Sequence, residues 1–188
     1  MIGRSLLAML PIAFSLAACK HGAPATSSAA EAEDHFAPTG RVLVGPPIRG
    51  PSASFDDNRV IGPAINVSRR PDGTWAGWIR GQAVNLVVKS NQISDASLTL
   101  NVRELPEGVE VRGLWVGVPG RDADIHIRVT PSEFYAREPH IEPPIYLDAA
   151  GPGRYGRGAW GDAVELAGQA ALPHPPQPQF ALAVLGAL

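Results

Sequence analysis

The sequence predicts an all-β, mainly antiparallel fold: a single-domain β-sandwich or small barrel with Pro/Gly-rich loops and at most one short helix. Three observations carry that prediction. Apolar and polar residues alternate over short stretches, Leu98, Leu100 and Val102 against Thr99, Asn101 and Arg103, and Ile125, Ile127 and Val129 against Asp124, His126 and Arg128, which is the period of a half-buried strand. The stretches are punctuated by turn chemistry, with 20 Gly and 19 Pro in 188 residues, more than a mainly helical chain tolerates. No long amphipathic helix can be drawn between them, so hairpins rather than crossovers connect the strands.

Taken in order, Ala64 to Ser68 and Thr74 to Arg80 form a hairpin around Pro71-Asp72-Gly73, where Pro presets the first turn angle and Gly accepts a positive φ. Val84, Leu86 and Val88 mark the next strand, followed by the Leu98 to Arg103 stretch and a second tight turn at Pro106-Glu107-Gly108. Val109 and Val111 run into Leu114-Trp115-Val116 with a shift of apolar phase, which predicts a bulge or burial on both faces. After the Ile125 to Val129 strand, Pro131 to Tyr135 reads as one helical turn. Ile145 to Asp148 and Ala163 to Leu172 are further strands, and Pro173 to Gln179 is an extended polyproline-like stretch. Phe180 to Leu188 is wholly apolar; a strand buried on both faces that closes the sheet is expected, with a short helix as the alternative.

Composition narrows the function. Sixteen basic against 18 acidic side chains give a net charge of -2, without the basic excess that a phosphate backbone requires, so nucleic acid is not an expected partner. The single cysteine excludes a disulfide within the chain and thiolate clusters for zinc or iron-sulfur centres. No cofactor is implied.

The N-terminus carries an address. Met1 and Arg4 supply a positive start, Leu6 to Leu16 an apolar run interrupted by Pro11, and Ala17-Ala18 a small-residue cleavage region, the layout of an export signal too short to span a bilayer. Leu16-Ala17-Ala18-Cys19 resembles the lipobox of bacterial lipoprotein signal peptides, a resemblance confined to residues 1–19. It implies cleavage between Ala18 and Cys19 and lipidation of Cys19, with the bilayer as a partner held through acyl chains; two or three such chains anchor a protein durably. Lys20 rather than Asp at the next position implies, by analogy with enterobacterial lipoproteins, transport to the outer membrane. The expected organisation is a signal peptide over 1–18, a lipidated Cys and flexible tether over 19–38, and one β-rich domain over 39–188. The tether is small and polar, and its 19 residues after Cys19 would reach about 24 Å if flexible.

Side chains that could carry chemistry are few. Asp122, Asp124 and His126 share one strand face, and His140 and Glu142 share another on a Pro-rich connection. Asp124, His126, His140 and Glu142 are the candidate metal ligands, able to hold a zinc-like ion and its water if the connection folds back over the strand. A row of polar side chains is also what the solvent face of any strand presents. Trp78, Trp115 and Trp160 are the candidate binding aromatics for sugar rings or a protein partner. The sequence therefore leads to a membrane-anchored envelope lipoprotein acting as a binding or structural module, with an envelope protein or polysaccharide as possible partner. The alternatives are a tethered, metal-dependent hydrolase of envelope polymers, and a carrier whose barrel mouth opens on an apolar cavity.

Overall fold

Alternation of side chains along the strands sorts the chain into an apolar inner surface and a polar outer one, and antiparallel pairing then closes that surface on itself. The computed structural model describes residues 36–188, apart from positions 47, 49, 117–122, 140–142 and 158–161. Among the described residues, fourteen strands follow one another around a closed barrel. They are β1 (Gly40–Val44), β2 (Ala53–Phe55), β3 (Arg59–Gly62), β4 (Ile65–Arg69), β5 (Trp75–Ile79), β6 (Gln82–Lys89) and β7 (Gln92–Ser94), then β8 (Leu98–Leu105), β9 (Gly108–Trp115), β10 (Ala123–Val129), β11 (Glu133–Arg137), β12 (Ile145–Gly151), β13 (Arg154–Gly156) and β14 (Asp162–Gly168). Each pairs antiparallel with its neighbours in sequence, and β1 pairs with β14 from Gly40 opposite Gly168 to Val44 opposite Val164. Of the two all-β architectures expected, the barrel is the one formed. It has no free edge.

The inner face is built by Val42, Phe55, Val60, Ile65, Val67, Trp75, Leu86, Leu98, Leu100, Val111, Trp115, Ile125 and Phe134, all at most 2% exposed. Arg41, Asn66, Asn85, Asn101, Arg112 and Arg128 occupy outward positions. This polarity is the reverse of a transmembrane barrel, whose apolar band faces outward.

A barrel of eight strands is filled by its own side chains, and diameter grows with strand number, so fourteen strands leave a lumen that needs filling. The C-terminal segment fills it. Gln179–Ala187 forms an α-helix, α1, every residue of which is buried, and it packs against β1, β2, β3 and β4. The expectation of a closing strand over Phe180 to Leu188 is thus corrected. β1 and β14 already close the sheet, and a helix satisfies its own backbone donors and acceptors where a lone strand in an apolar lumen could not.

Other expectations are corrected locally. At β9 burial on both faces is met, with Val109, Glu110 and Val111 all buried, but there is no bulge: its pairing with β8 runs unbroken from Leu98 opposite Trp115 to Leu105 opposite Gly108. The apparent phase shift arises because Gly113 takes the inward position while Leu114 points outward, 39% exposed. Pro131 to Tyr135 is not a helical turn. Thr130 Oγ1 accepts the backbone N–H groups of Ser132 and Glu133 at 3.3 and 3.2 Å, turning the chain directly into β11. The strand expected to reach Leu172 ends at Gly168 and continues as a short 3-10 turn, Gln169–Ala171. Both hairpin turns form as expected, the first fixed by Asp72, whose carboxylate accepts the Thr74 N–H at 2.9 Å and its hydroxyl at 2.6 Å.

Because successive strands alternate in direction, the β2–β3, β4–β5, β6–β7, β8–β9, β10–β11 and β12–β13 turns share one end of the barrel. We call that end the mouth. The start of β1 and the end of β14 lie there too, and so does the start of α1, where Gln179 Nε2 donates to the Asp57 carbonyl in the β2–β3 turn at 3.0 Å. Over nine residues α1 runs about 14 Å through the lumen to the far end, where Arg80 in the β5–β6 turn pairs with buried Glu138 at 2.9 Å.

Candidate functional site

Turn residues that are far apart in sequence meet at the mouth and enclose a cavity of about 450 Å3, within the range of small-molecule sites. One wall is the β8–β9 turn with Glu107, Gly108 and Val109, and the end of β10 with Val129, Thr130 and Pro131. The other wall is the β12–β13 turn with Gly151, Pro152 and Gly153, and the floor reaches Tyr155, Leu166 and Phe180. A strap formed by the 3-10 turn and the Pro-rich stretch, from Ala170 to Pro175, completes it.

Each wall is held together for an identifiable reason. Gly108 has φ 149, and a methyl there would press on the Val129 carbonyl and lie 3.0 Å from Thr130 Cα, so only glycine brings the β8–β9 turn this near β10. On the other side the Leu166 N–H donates to the Gly153 carbonyl at 2.7 Å. Between the walls, the Tyr155 hydroxyl donates to the Thr130 carbonyl at 2.9 Å while its ring packs 5.7 Å from that of Phe134. Burial pushes the Tyr155 phenol above its ordinary value, so the hydroxyl stays protonated and keeps donating to Thr130.

The candidate metal ligands do not assemble among the described residues. Asp124 is exposed on β10. His126, two residues on, directs Nε2 to Glu110 Oε1 at 3.0 Å, and the same oxygen accepts Arg112 Nη2 at 2.9 Å. Tyr135 covers the imidazole edge-on, with ring centroids 5.0 Å apart. His140, Glu142 and Asp122 lie outside the described residues. Among those described, no three His, Cys, Asp or Glu side chains come together as a metal site would require. Glu110, which the sequence did not single out, is the centre of the arrangement. The Arg112 hydrogen bond, followed by that from His126, holds its carboxyl below the ordinary range despite partial burial. The ladder continues outward through Arg128 to Glu133 at 3.1 Å and through the Tyr146 hydroxyl to Glu133 at 3.1 Å. Its charges are paired, as an outer barrel surface requires.

The candidate aromatics separate in the same way. Trp78 faces outward from β5 and is 37% exposed, whereas Trp115 is fully buried and donates its indole N–H to Gln82 Oε1 at 2.8 Å. Trp115 is therefore a core residue and not part of a recognition surface, because its inward position on β9 follows from the phase set by Val109 and Val111. Trp160 and Cys19 lie outside the described residues.

The fold and cavity together define a closed up-and-down barrel, its lumen filled by its own C-terminal helix and its mouth open on an apolar cavity. No family model, curated protein or solved structure matches the chain, so its function has to be argued from its own residues.

Proposed function

We propose that this chain is a lipid-anchored binding module of the bacterial cell envelope that takes a small, largely apolar ligand in the barrel mouth. The observation that carries the binding role is the cavity itself, about 450 Å3 and walled by Val109, Val129, Leu166, Phe180 and four prolines. Burial of an apolar molecule against such walls contributes roughly 25 cal/mol for each Å2 removed from water. Prolines and paired turns hold the walls open before any ligand arrives, which lowers the cost of ordering on binding.

The anchoring role rests on the lipobox-like Leu16-Ala17-Ala18-Cys19, with acyl chains on Cys19 and the outer membrane as destination. β1 begins at the mouth, where the Gln169 N–H donates to the Thr39 carbonyl at 2.9 Å, so the tether from Cys19 joins the barrel at the same end as the cavity. A ligand exchanging with the membrane would then meet the mouth within the reach of the tether.

Fluorescence titration with N-phenyl-1-naphthylamine, a neutral apolar probe, tests the binding role. Saturable enhancement is expected, and Ala171→Trp, which places an indole into the cavity from an exposed position, should abolish it. Equal enhancement by both proteins would overturn the assignment of the site.

A further inference from the structure

We propose that the mouth cavity selects apolar molecules carrying a protonated amine, with Glu107 as the counter-charge. This rests on the reading of the mouth as a ligand site and names the chemistry of its ligand. Glu107 is the one charged residue among the described residues of the lining. It is exposed in the β8–β9 turn and makes no ion pair with another described residue. Of the nearby described bases, Arg128 pairs with Glu133 on the outer face, and Arg154 and His174 are exposed and outside the described lining.

The neutral polar groups point the same way. Pro131, Pro152, Pro173 and Pro175 bring no backbone N–H donor to the lining, and the Pro175 carbonyl already accepts Gln177 Nε2 at 3.2 Å. The Tyr155 hydroxyl proton is committed to the Thr130 carbonyl, which leaves only lone pairs on that oxygen. Thr130 Oγ1 already receives two backbone N–H groups and shares a proton with Ser132 Oγ at 3.1 Å. The hydroxyl protons of the described lining side chains are therefore engaged, and lone pairs remain on the Tyr155 oxygen and the Glu107 carboxylate. An ammonium or other donor head finds partners there. A carboxylate head faces Glu107, a like charge.

Calorimetric titration of the full chain with three matched probes, 4-phenylbutylamine, 4-phenylbutanol and 4-phenylbutyrate, tests this directly. The amine is expected to bind about two- to fivefold more tightly than the alcohol, as an exposed charge pair allows, and the acid more weakly than either. Glu107→Gln should bring amine and alcohol together, and raised salt should narrow their gap. Equal binding of all three, a preference for the acid, or an amine preference that survives Glu107→Gln would overturn the charge selection and leave the cavity reading standing. Binding of none of the three, or binding that persists in Ala171→Trp, would remove the cavity reading and the selection with it.

Discussion

Gly186, at the last turn of α1, lies flush against Ile65 of β4: a methyl at Gly186 would fall on Ile65 Cγ2 and within 2.6 Å of its Cβ. The helix can approach the barrel wall only because this position has no side chain. Gly186→Ala would gain helix propensity, about 1 kcal/mol at most and less near a helix end. It would also force extra volume onto a wall residue with 0% exposure, and such overpacking costs about 1–3 kcal/mol. The clash wins, so urea unfolding should show a net loss of about 1 kcal/mol or more. Unchanged or increased stability would mean that α1 is not seated against β4.

At the far end the Arg80 guanidinium pairs with Glu138, whose side chain has 0% exposure, and approaches the Leu185 carbonyl at 3.5 Å near the C-terminus of α1. A cation there complements the helix dipole. Arg80→Met should cost about 1–3 kcal/mol, because it removes a guanidinium that compensates a buried carboxylate. A loss below about 0.5 kcal/mol in the unfolding midpoint analysis would show that the pair is solvated.

Glu110 ties global stability to acid pH. Its hydrogen bonds from Arg112 and His126 hold its carboxyl below the ordinary value of 4.5. Asp95 is also lowered: burial alone would raise it, but backbone N–H groups of Ser97, Leu98 and Asn85 more than offset that and hold it below 3.8. A group whose pKa falls on folding contributes stability that is fully present above its unfolded value and is lost as pH drops through its folded value. Stability should therefore decline below about pH 4.5, and Glu110→Gln should flatten the decline. An identical pH profile for the variant would contradict the assigned pairing.

The proposed anchor makes its own demand. Cys19→Ser should leave an uncleaved precursor without radiolabelled fatty acid, whereas the parent chain should carry label and partition with membranes. Labelling retained by the variant would end the lipoprotein proposal.

Much of the barrel was legible because its strands are half-buried. Leu98, Leu100 and Val102 must alternate with polar neighbours when one face is dry, and Asp72 and Gly108 declare their turns. The helix was not legible for the complementary reason. Phe180 to Leu188 has no polar face, since every side of it is buried, and without a face neither period can be read. The cavity was hidden differently. Glu107 reads as a tight-turn residue, Pro131 as the start of a helical turn and Pro173 as part of an extended stretch, and only barrel closure brings them together with Pro152. The phase of Val109 and Val111 points Trp115 inward, but that phase is hard to see in the sequence. Gly113 breaks the visible alternation that would have placed it inside.

Ligand binding at the mouth is tested most sharply by a chemical-shift map of the protein titrated with N-phenyl-1-naphthylamine. Perturbations should be confined to the mouth, at Val109, Val129, Tyr155, Leu166 and Phe180, with Arg80 and Glu138 at the far end unmoved. Shifts centred on the far end or on Trp78, or none at saturating probe, would contradict it.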